Sequence, residues 1–258
     1  MSLVETEWRH GAVWLWLNRP ERHNALVPPL TGALRSALAE LAEQEPAALV
    51  LSGRGHSFFS TGGDIAGFLE HAGSRQALRD YSEGLVGDLH DAILELLAFP
   101  APVLAAVNGA VTGGSAGLLF AADMVAMSDR AFLQPYYCEV GFAPDGGWTA
   151  LLPDRVGPSK ALEIQYRNAR IGAAEALALG LASSVCPRSE LATQIDAWVD
   201  DLGKGFARTH RVTRQGVWDE RRREEVRRRL DLERARFLEL VERPETLDGM
   251  KRFTRQRA

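Results

Sequence analysis

The residues best suited to chemistry in this 258-residue chain are backbone amides, and they lie in a glycine-rich turn. Pro102 to Val107 is a short apolar, β-prone run; Asn108-Gly109-Ala110-Val111-Thr112-Gly113-Gly114-Ser115-Ala116-Gly117 follows, and a small-residue helical run continues to Ala126. Glycine has no Cβ, so its backbone can approach a ligand closely. A helix start also leaves N–H groups unpaired and carries partial positive charge. Together these features suit an anion, or an oxygen that becomes anionic during a reaction. Two more glycine turns recur, Phe58-Phe59-Ser60-Thr61-Gly62-Gly63-Asp64-Ile65 and Gly141-Phe142-Ala143-Pro144-Asp145-Gly146-Gly147-Trp148. Gly113 to Gly117 also spells Gly-x-Ser-x-Gly, the nucleophile elbow of a serine hydrolase, with Asp145 and His210 following in suitable order. Against that reading, five residues separate the apolar run from the motif, and the other glycine turns are left without a role.

The elements that must hold these turns alternate. Val4 to Leu17 is β-prone, and Trp14 and Trp16 share one strand face. Leu30, Leu34, Leu38 and Leu41 have helical spacing, and Ala47 to Ser52 is a buried-strand candidate closed by Gly53-Arg54-Gly55. This β-α-β opening is the pattern of an α/β layer fold. Leu85, Leu89, Ile93 and Leu97 predict a helix stopped by Pro100 and Pro102. The turn at Gly141 is expected to end another β-prone stretch, and Ala173 to Ala182 reads as a short helix running into a glycine stop. Helices dominate from Glu190, where Val226, Leu230, Phe237 and Val241 trace an apolar stripe through a charged surface.

Composition narrows the function classes. A 46% hydrophobic share and a 25% charged share are ordinary for a globular chain with a sizeable core. The net charge of −4 argues against a nucleic-acid partner. No apolar run approaches the roughly 20 residues of a membrane span, and the first residues lack a basic-then-apolar signal pattern, so a cytoplasmic protein without a membrane partner is expected. Cys138 and Cys186 form neither a disulfide framework nor a metal site, and the six histidines are scattered. No metal and no separate cofactor are expected; the absence of a Gly-x-Gly-x-x-Gly after a strand speaks against a nicotinamide enzyme.

Three stretches fall in one order. Leu17-Asn18-Arg19-Pro20-Glu21-Arg22-His23-Asn24-Ala25-Leu26, Phe59 to Ile65, and Ala106-Val107-Asn108-Gly109 with Gly113-Gly114 resemble the entry motif and the two oxyanion turns of the crotonase superfamily, the enoyl-CoA hydratase/isomerase family. Weaker agreement at Glu175 to Leu181 and Asp248 to Phe253 extends the resemblance over nearly the whole chain. It implies an α/β fold, a spiral of β-β-α repeats over residues 1–189, followed by an all-helical oligomerisation region at 190–258 that forms a homotrimer or dimer of trimers. It implies an acyl-CoA thioester substrate, coenzyme A entering as part of that substrate, with the carbonyl oxygen held by the N–H groups of Gly63 and Gly114. Coenzyme A would lie near Arg22 to Ala25 and Ser60 to Asp64. Arg22, Ala25, Ser60, Thr61, Gly62, Asp64, Ile65, Tyr137 and Trp148 are the candidate binding residues.

One departure separates this chain from ordinary hydratases. They use two glutamates to handle water, and the matching positions here are Gly117 and Tyr137, or Tyr136 one residue away. Glycine moves no proton, and a tyrosine with a pKa near 10 is a poor base at neutral pH. Asp145 remains, in a turn resembling the one where some isomerases of the family place their acid/base. A single carboxylate suffices to take a proton from one carbon and return it to another. The expected function is therefore an enoyl-CoA isomerase acting through a thioester enolate, with Gly63, Gly114 and Asp145 as its catalytic groups. The alternatives are a hydratase or decarboxylase with an atypical base, or a non-catalytic acyl-CoA-binding member. Glu139 is a second acid nearby; in a regular strand it would share a face with Tyr137.

Overall fold

The structure is a computed structural model that describes residues 2–255; the last three residues of the 190–258 segment lie outside it. The chain opens with a hairpin, β1 (Val4–Arg9) and β2 (Ala12–Leu17), whose turn residues His10 and Gly11 both have positive φ. Then come α1 (Pro28–Glu43), β3 (Leu49–Gly53), β4 (Phe58–Ser60), α2 (Ile65–His71) and α3 (Arg75–Ala98). The central section runs β5 (Val103–Val107), β6 (Ala110–Thr112), a 3-10 turn over Gly113–Ser115, α4 (Ala116–Phe120), β7 (Met124–Ser128), β8 (Phe132–Gln134) and α5 (Tyr137–Val140). After α6 (Leu152–Val156), α7 (Pro158–Tyr166), β9 (Ile171–Gly172), α8 (Ala173–Ala178) and β10 (Ser184–Cys186), four helices finish the described chain: α9 (Leu191–Gly203), α10 (Ala207–Val217), α11 (Glu220–Val241) and α12 (Pro244–Arg255).

Two sheets result. One has the order β1-β2-β3-β5-β7-β10, parallel except at the β1/β2 hairpin; the other runs β4-β6-β8-β9, parallel except at β8/β9. Successive strand pairs β3/β4, β5/β6 and β7/β8 each give one strand to each sheet before a helix returns the chain, which is the β-β-α spiral the resemblance implies.

Both faces of the larger sheet's inner strands β2, β3, β5 and β7 are covered, so these strands read as near-continuous apolar runs, whereas the edge strand β1 alternates. On β2, Val13, Leu15 and Leu17 join the main core beneath α1 and α3, whereas Ala12 and Trp14 face a second cluster with Leu191, Ile195 and Val199 of α9. The stacked Trp14 and Trp16 rings, 5.1 Å apart, occupy that second face.

Two local expectations change. The stretch before Gly141 is a helical turn rather than a strand. Pro135 cannot extend the β8 ladder, Tyr136 adopts a left-handed φ of 63°, and its N–H donates to Asn168 Oδ1 at 2.8 Å, so the chain reverses into α5. The central glycine turn is also not a single bend, because β6 intervenes between Asn108 and Gly113 and pairs with β4 and β8.

Candidate active site

The parallel spiral carries β4 and β6 side by side, and their C-terminal ends deliver the two glycine bends to one place. Leu26 donates to Gly62 O at 2.7 Å and accepts from Asp64 N–H at 2.9 Å. Those two bonds use the peptide groups that face Leu26, so the N–H of Gly63 itself points to the opposite side. Gly114 is the second residue of the 3-10 turn that starts α4, where N–H groups lack partners within the helix. The bends are in direct contact: a Cβ added at Gly62 would lie 3.3 Å from Gly113 Cα.

Gly63 and Gly114 both line a cavity of about 280 Å³. Its deep walls are apolar: Leu85, Val86 and Leu89 from α3, Phe68 from α2, Phe142, and Phe237 from α11. Phe68, Phe142 and Phe237 are in mutual ring contact at 4.8–5.8 Å, and Tyr136 and Phe253 add a further edge-on pair. The mouth is polar. Asp64 caps α2 and accepts from Arg19 at 2.7 Å and from the half-exposed Arg22 at 3.3 Å. Burial pushes the Asp64 carboxyl up, but the two guanidinium groups outweigh it and hold the acid below its ordinary value.

Asp145 sits opposite the second bend. A Cβ added at Gly114 would be 3.0 Å from each Asp145 carboxylate oxygen. The Tyr137 hydroxyl donates to Asp145 Oδ1 at 2.5 Å and lies 3.0 Å from the Asp145 backbone carbonyl. Burial raises the Asp145 pKa to about 6, against the Tyr137 hydrogen bond, which favours the charged form. The phenol is pushed well above 10 by burial and by the neighbouring Asp145 charge. It is therefore a donor, and no base.

The turn behind Asp145 is held from two helices. Gly146 N–H donates to His90 Nε2 on α3 at 3.1 Å. Burial drives the His90 pKa down to about 3, so the ring is neutral and its Nε2 is free to accept. Glu233 on α11 accepts from Gly147 N–H (2.8 Å), Thr149 N–H (2.6 Å), Thr149 Oγ1 (2.7 Å) and Ala150 N–H (2.9 Å). Gly146, at φ 61°, presses against Gly114: a Cβ there would come within 2.5 Å of Gly114 Cα. Trp148 Nε1 donates to Gly113 O at 2.7 Å, joining the third glycine turn to the second.

Comparison with known proteins places the chain in a family. The model of the enoyl-CoA hydratase/isomerase family matches residues 8–258. The chain belongs to the enoyl-CoA hydratase/isomerase family. It is 34% identical over 215 residues to a putative enoyl-CoA hydratase of Thermus thermophilus, covering 83% of this chain and 82% of that protein. It is 28% identical over 211 residues to a trans-2-decenoyl-[acyl-carrier-protein] isomerase of Streptococcus mutans, covering 81% and 79%. The crystal structure of an enoyl-CoA hydratase from Bacillus halodurans superposes with a TM-score of 0.91 over 97% of this chain and all of that one, at 22% identity, which establishes the shared crotonase fold.

At Gly117, the position the resemblance implies for the first hydratase glutamate, the structure leaves no room for a side chain. A Cβ on Gly117 would fall well inside van der Waals contact of Gly146 O and Ile93 Cδ1, so any side chain is excluded. Of the two candidates for the second position, Tyr137 donates to Asp145 and Tyr136 also lines the cavity.

The structure sorts the sequence-derived candidates. Arg22, Ala25, Thr61, Gly63, Asp64, Ile65, Gly114, Tyr137 and Asp145 all line the cavity. Ser60, Gly62 and Trp148 do not, which corrects their assignment as binding residues. The Ser60 hydroxyl is buried and donates to Asn24 O, Gly62 backs onto Thr112 O, and the buried Trp148 indole packs edge-on against Phe120. Glu139 also drops out, since the helical turn points it outward to Asn168 Nδ2, away from Tyr137. The serine-elbow reading fails because Ser115 Oγ is fully buried and donates to Ser60 O and Thr112 O, while His210 contacts Leu202 O. His90 and Glu233 escaped sequence reasoning. Both stand on apolar stripes, His90 between Val86 and Ile93 and Glu233 between Leu230 and Phe237, and an ionisable residue inside such a stripe was the available signal.

Proposed function

We propose that this chain is an enoyl-CoA isomerase that moves a double bond along an acyl thioester through an enolate. The Asp145 carboxylate takes a proton from C2 of a 3-enoyl thioester. The electron pair moves toward the carbonyl oxygen, which accepts hydrogen bonds from Gly63 and Gly114. The same carboxylic acid then returns the proton to C4, leaving the double bond between C2 and C3. One group serves both transfers, so no water is activated. The observation that carries this reading is the placement of Asp145: its buried carboxylate faces the glycine bend with a pKa of about 6, while the other acids lining the cavity among the described residues are the exposed Glu21 and the arginine-paired Asp64. Asp64, at the mouth, is neutralised by Arg19 and Arg22. The test is to incubate the protein with 2-enoyl-CoA and 3-enoyl-CoA thioesters in deuterated water. Positional isomers with deuterium at C2 and C4 are expected; 3-hydroxyacyl-CoA as the main product overturns the reading.

The same reading fixes a pH dependence. Asp145 works as the carboxylate, so kcat/KM should fall on the acid side with an apparent pKa of about 6. Removing the Tyr137 hydroxyl in Tyr137→Phe deletes a bond to the charged form, so the acid limb should move to higher pH. A limb that stays in place in a folded Tyr137→Phe, measured by a pH–rate profile, speaks against Asp145 as the base.

A further inference from the structure

Glu233 is 3% exposed in the middle of α11, on a face otherwise made of Val226, Leu230, Phe237 and Val241. A carboxylate is costly to bury without compensation; burial raises the Glu233 pKa to about 7, and among the described residues no Lys or Arg pairs with it. The nearest ring nitrogen, His90 Nε2 at 3.7 Å, belongs to a neutral imidazole. Its compensation comes instead from four donors within residues 147–150, three of them backbone amides. The amide immediately before them, Gly146 N–H, is taken by His90. All of these amides lie within the five residues after Asp145, and Glu233 does not line the cavity.

We propose that Glu233 is a positioning residue of the active site: it fixes the backbone of residues 147–150 so that the Asp145 carboxylate stands opposite Gly114, and it thereby ties the geometry of the proton carrier to helix α11. The inference rests on the reading of Asp145 as the proton carrier. Neither glutamine nor aspartate replaces Glu233. Glutamine turns one acceptor into an NH2 group facing amide N–H donors, and aspartate is one methylene too short to keep the four bonds.

The experiment compares Glu233→Gln, Glu233→Asp, Thr149→Val and Asp145→Asn with the unaltered protein, using a 3-enoyl-CoA thioester and thermal melts. Folded Glu233→Gln should lose at least about tenfold in kcat with KM within about twofold, because the cavity walls are untouched while the carboxylate is misaimed. Thr149→Val, which removes one donor, should lose about two- to fivefold in kcat with the same KM, and Glu233→Asp should fall between the two. A kcat within twofold of the unaltered protein in folded Glu233→Gln overturns the proposal, as does a loss expressed only in KM. If Glu233→Gln does not fold, undiminished kcat in Thr149→Val and Glu233→Asp overturns it equally. Substantial turnover by Asp145→Asn overturns the proton-carrier reading and this inference with it; an inactive Asp145→Asn beside a normal Glu233→Gln removes the inference alone.

Discussion

Asp145→Asn should lower kcat by about 10²- to 10⁴-fold, the usual contribution of a positioned general base, and at the same time raise the melting temperature at neutral pH. The first effect follows from the chemistry: an amide neither takes nor returns a proton, while Gly63, Gly114 and the cavity mouth, which would hold the thioester, are unchanged. Affinity for an acyl-CoA should therefore stay within a few-fold. The second follows from linkage. Burial raises the Asp145 pKa from 3.8 to about 6. A group raised in the folded state contributes stability that is complete below about pH 4 and is lost as pH climbs through 6. At pH 7.5 the native protein has forfeited on the order of 2–3 kcal/mol at this one site. Asparagine does not ionise, and its Oδ1 can still accept from Tyr137. The variant should melt several degrees higher at pH 7.5, with the gap closing toward pH 4. Unchanged turnover, or a lower melting point at pH 7.5, contradicts this account.

Gly117→Glu should produce no hydratase. Placing a glutamate at Gly117, where the resemblance implies the first glutamate of hydratases, looks like a direct route to water addition, but the space does not exist. The added Cβ would collide with the Gly146 carbonyl and with Ile93 Cδ1, and the first of these is backbone. Even Gly117→Ala should cost about 3 kcal/mol or more, the upper part of the range for overpacked cores, and melt roughly 10 °C lower. The damage reaches function because Gly146 is the residue after Asp145. Activity should fall with stability in Gly117→Ala, measured by calorimetry and steady-state kinetics, and Gly117→Glu should form no 3-hydroxyacyl-CoA. A stable Gly117→Glu protein that hydrates 2-enoyl-CoA would show that the turn can retreat.

The outline of this site was legible in the sequence because its proposed donors are backbone groups in glycine bends. Bends announce themselves by composition, and their order along the chain identified the family. The repeat of strand, strand and helix was readable for a similar reason, since Leu49 to Leu51 and Val103 to Val107 are too uniformly apolar to face water on either side. What escaped was whatever depends on the path between elements. A left-handed Tyr136 after Pro135 reverses the chain, and with it the direction of Glu139 changes and Tyr137 comes to face Asp145. Nothing in local periodicity marks that reversal. Trp148 was misplaced because an aromatic next to a catalytic turn can face either the ligand or the core, and its partner, Gly113 O, lies 35 residues away. The same remoteness hid Glu233, whose four partners lie more than 80 positions upstream.

The backbone-on-backbone seating of Gly146 against Gly114, reinforced by Trp148, has a bearing on selectivity. With no side chain between them to yield, the gap between the Gly114 amide, the proposed oxygen donor, and the Asp145 carboxylate behaves as a fixed ruler. On the proposed function, which carbon of a bound chain meets the carboxylate would depend on how far the tail threads past that ruler toward the cavity-lining Phe68, Phe142 and Phe237. Altering the preferred double-bond position should accordingly require recutting that aromatic cluster, with the two glycine bends left alone.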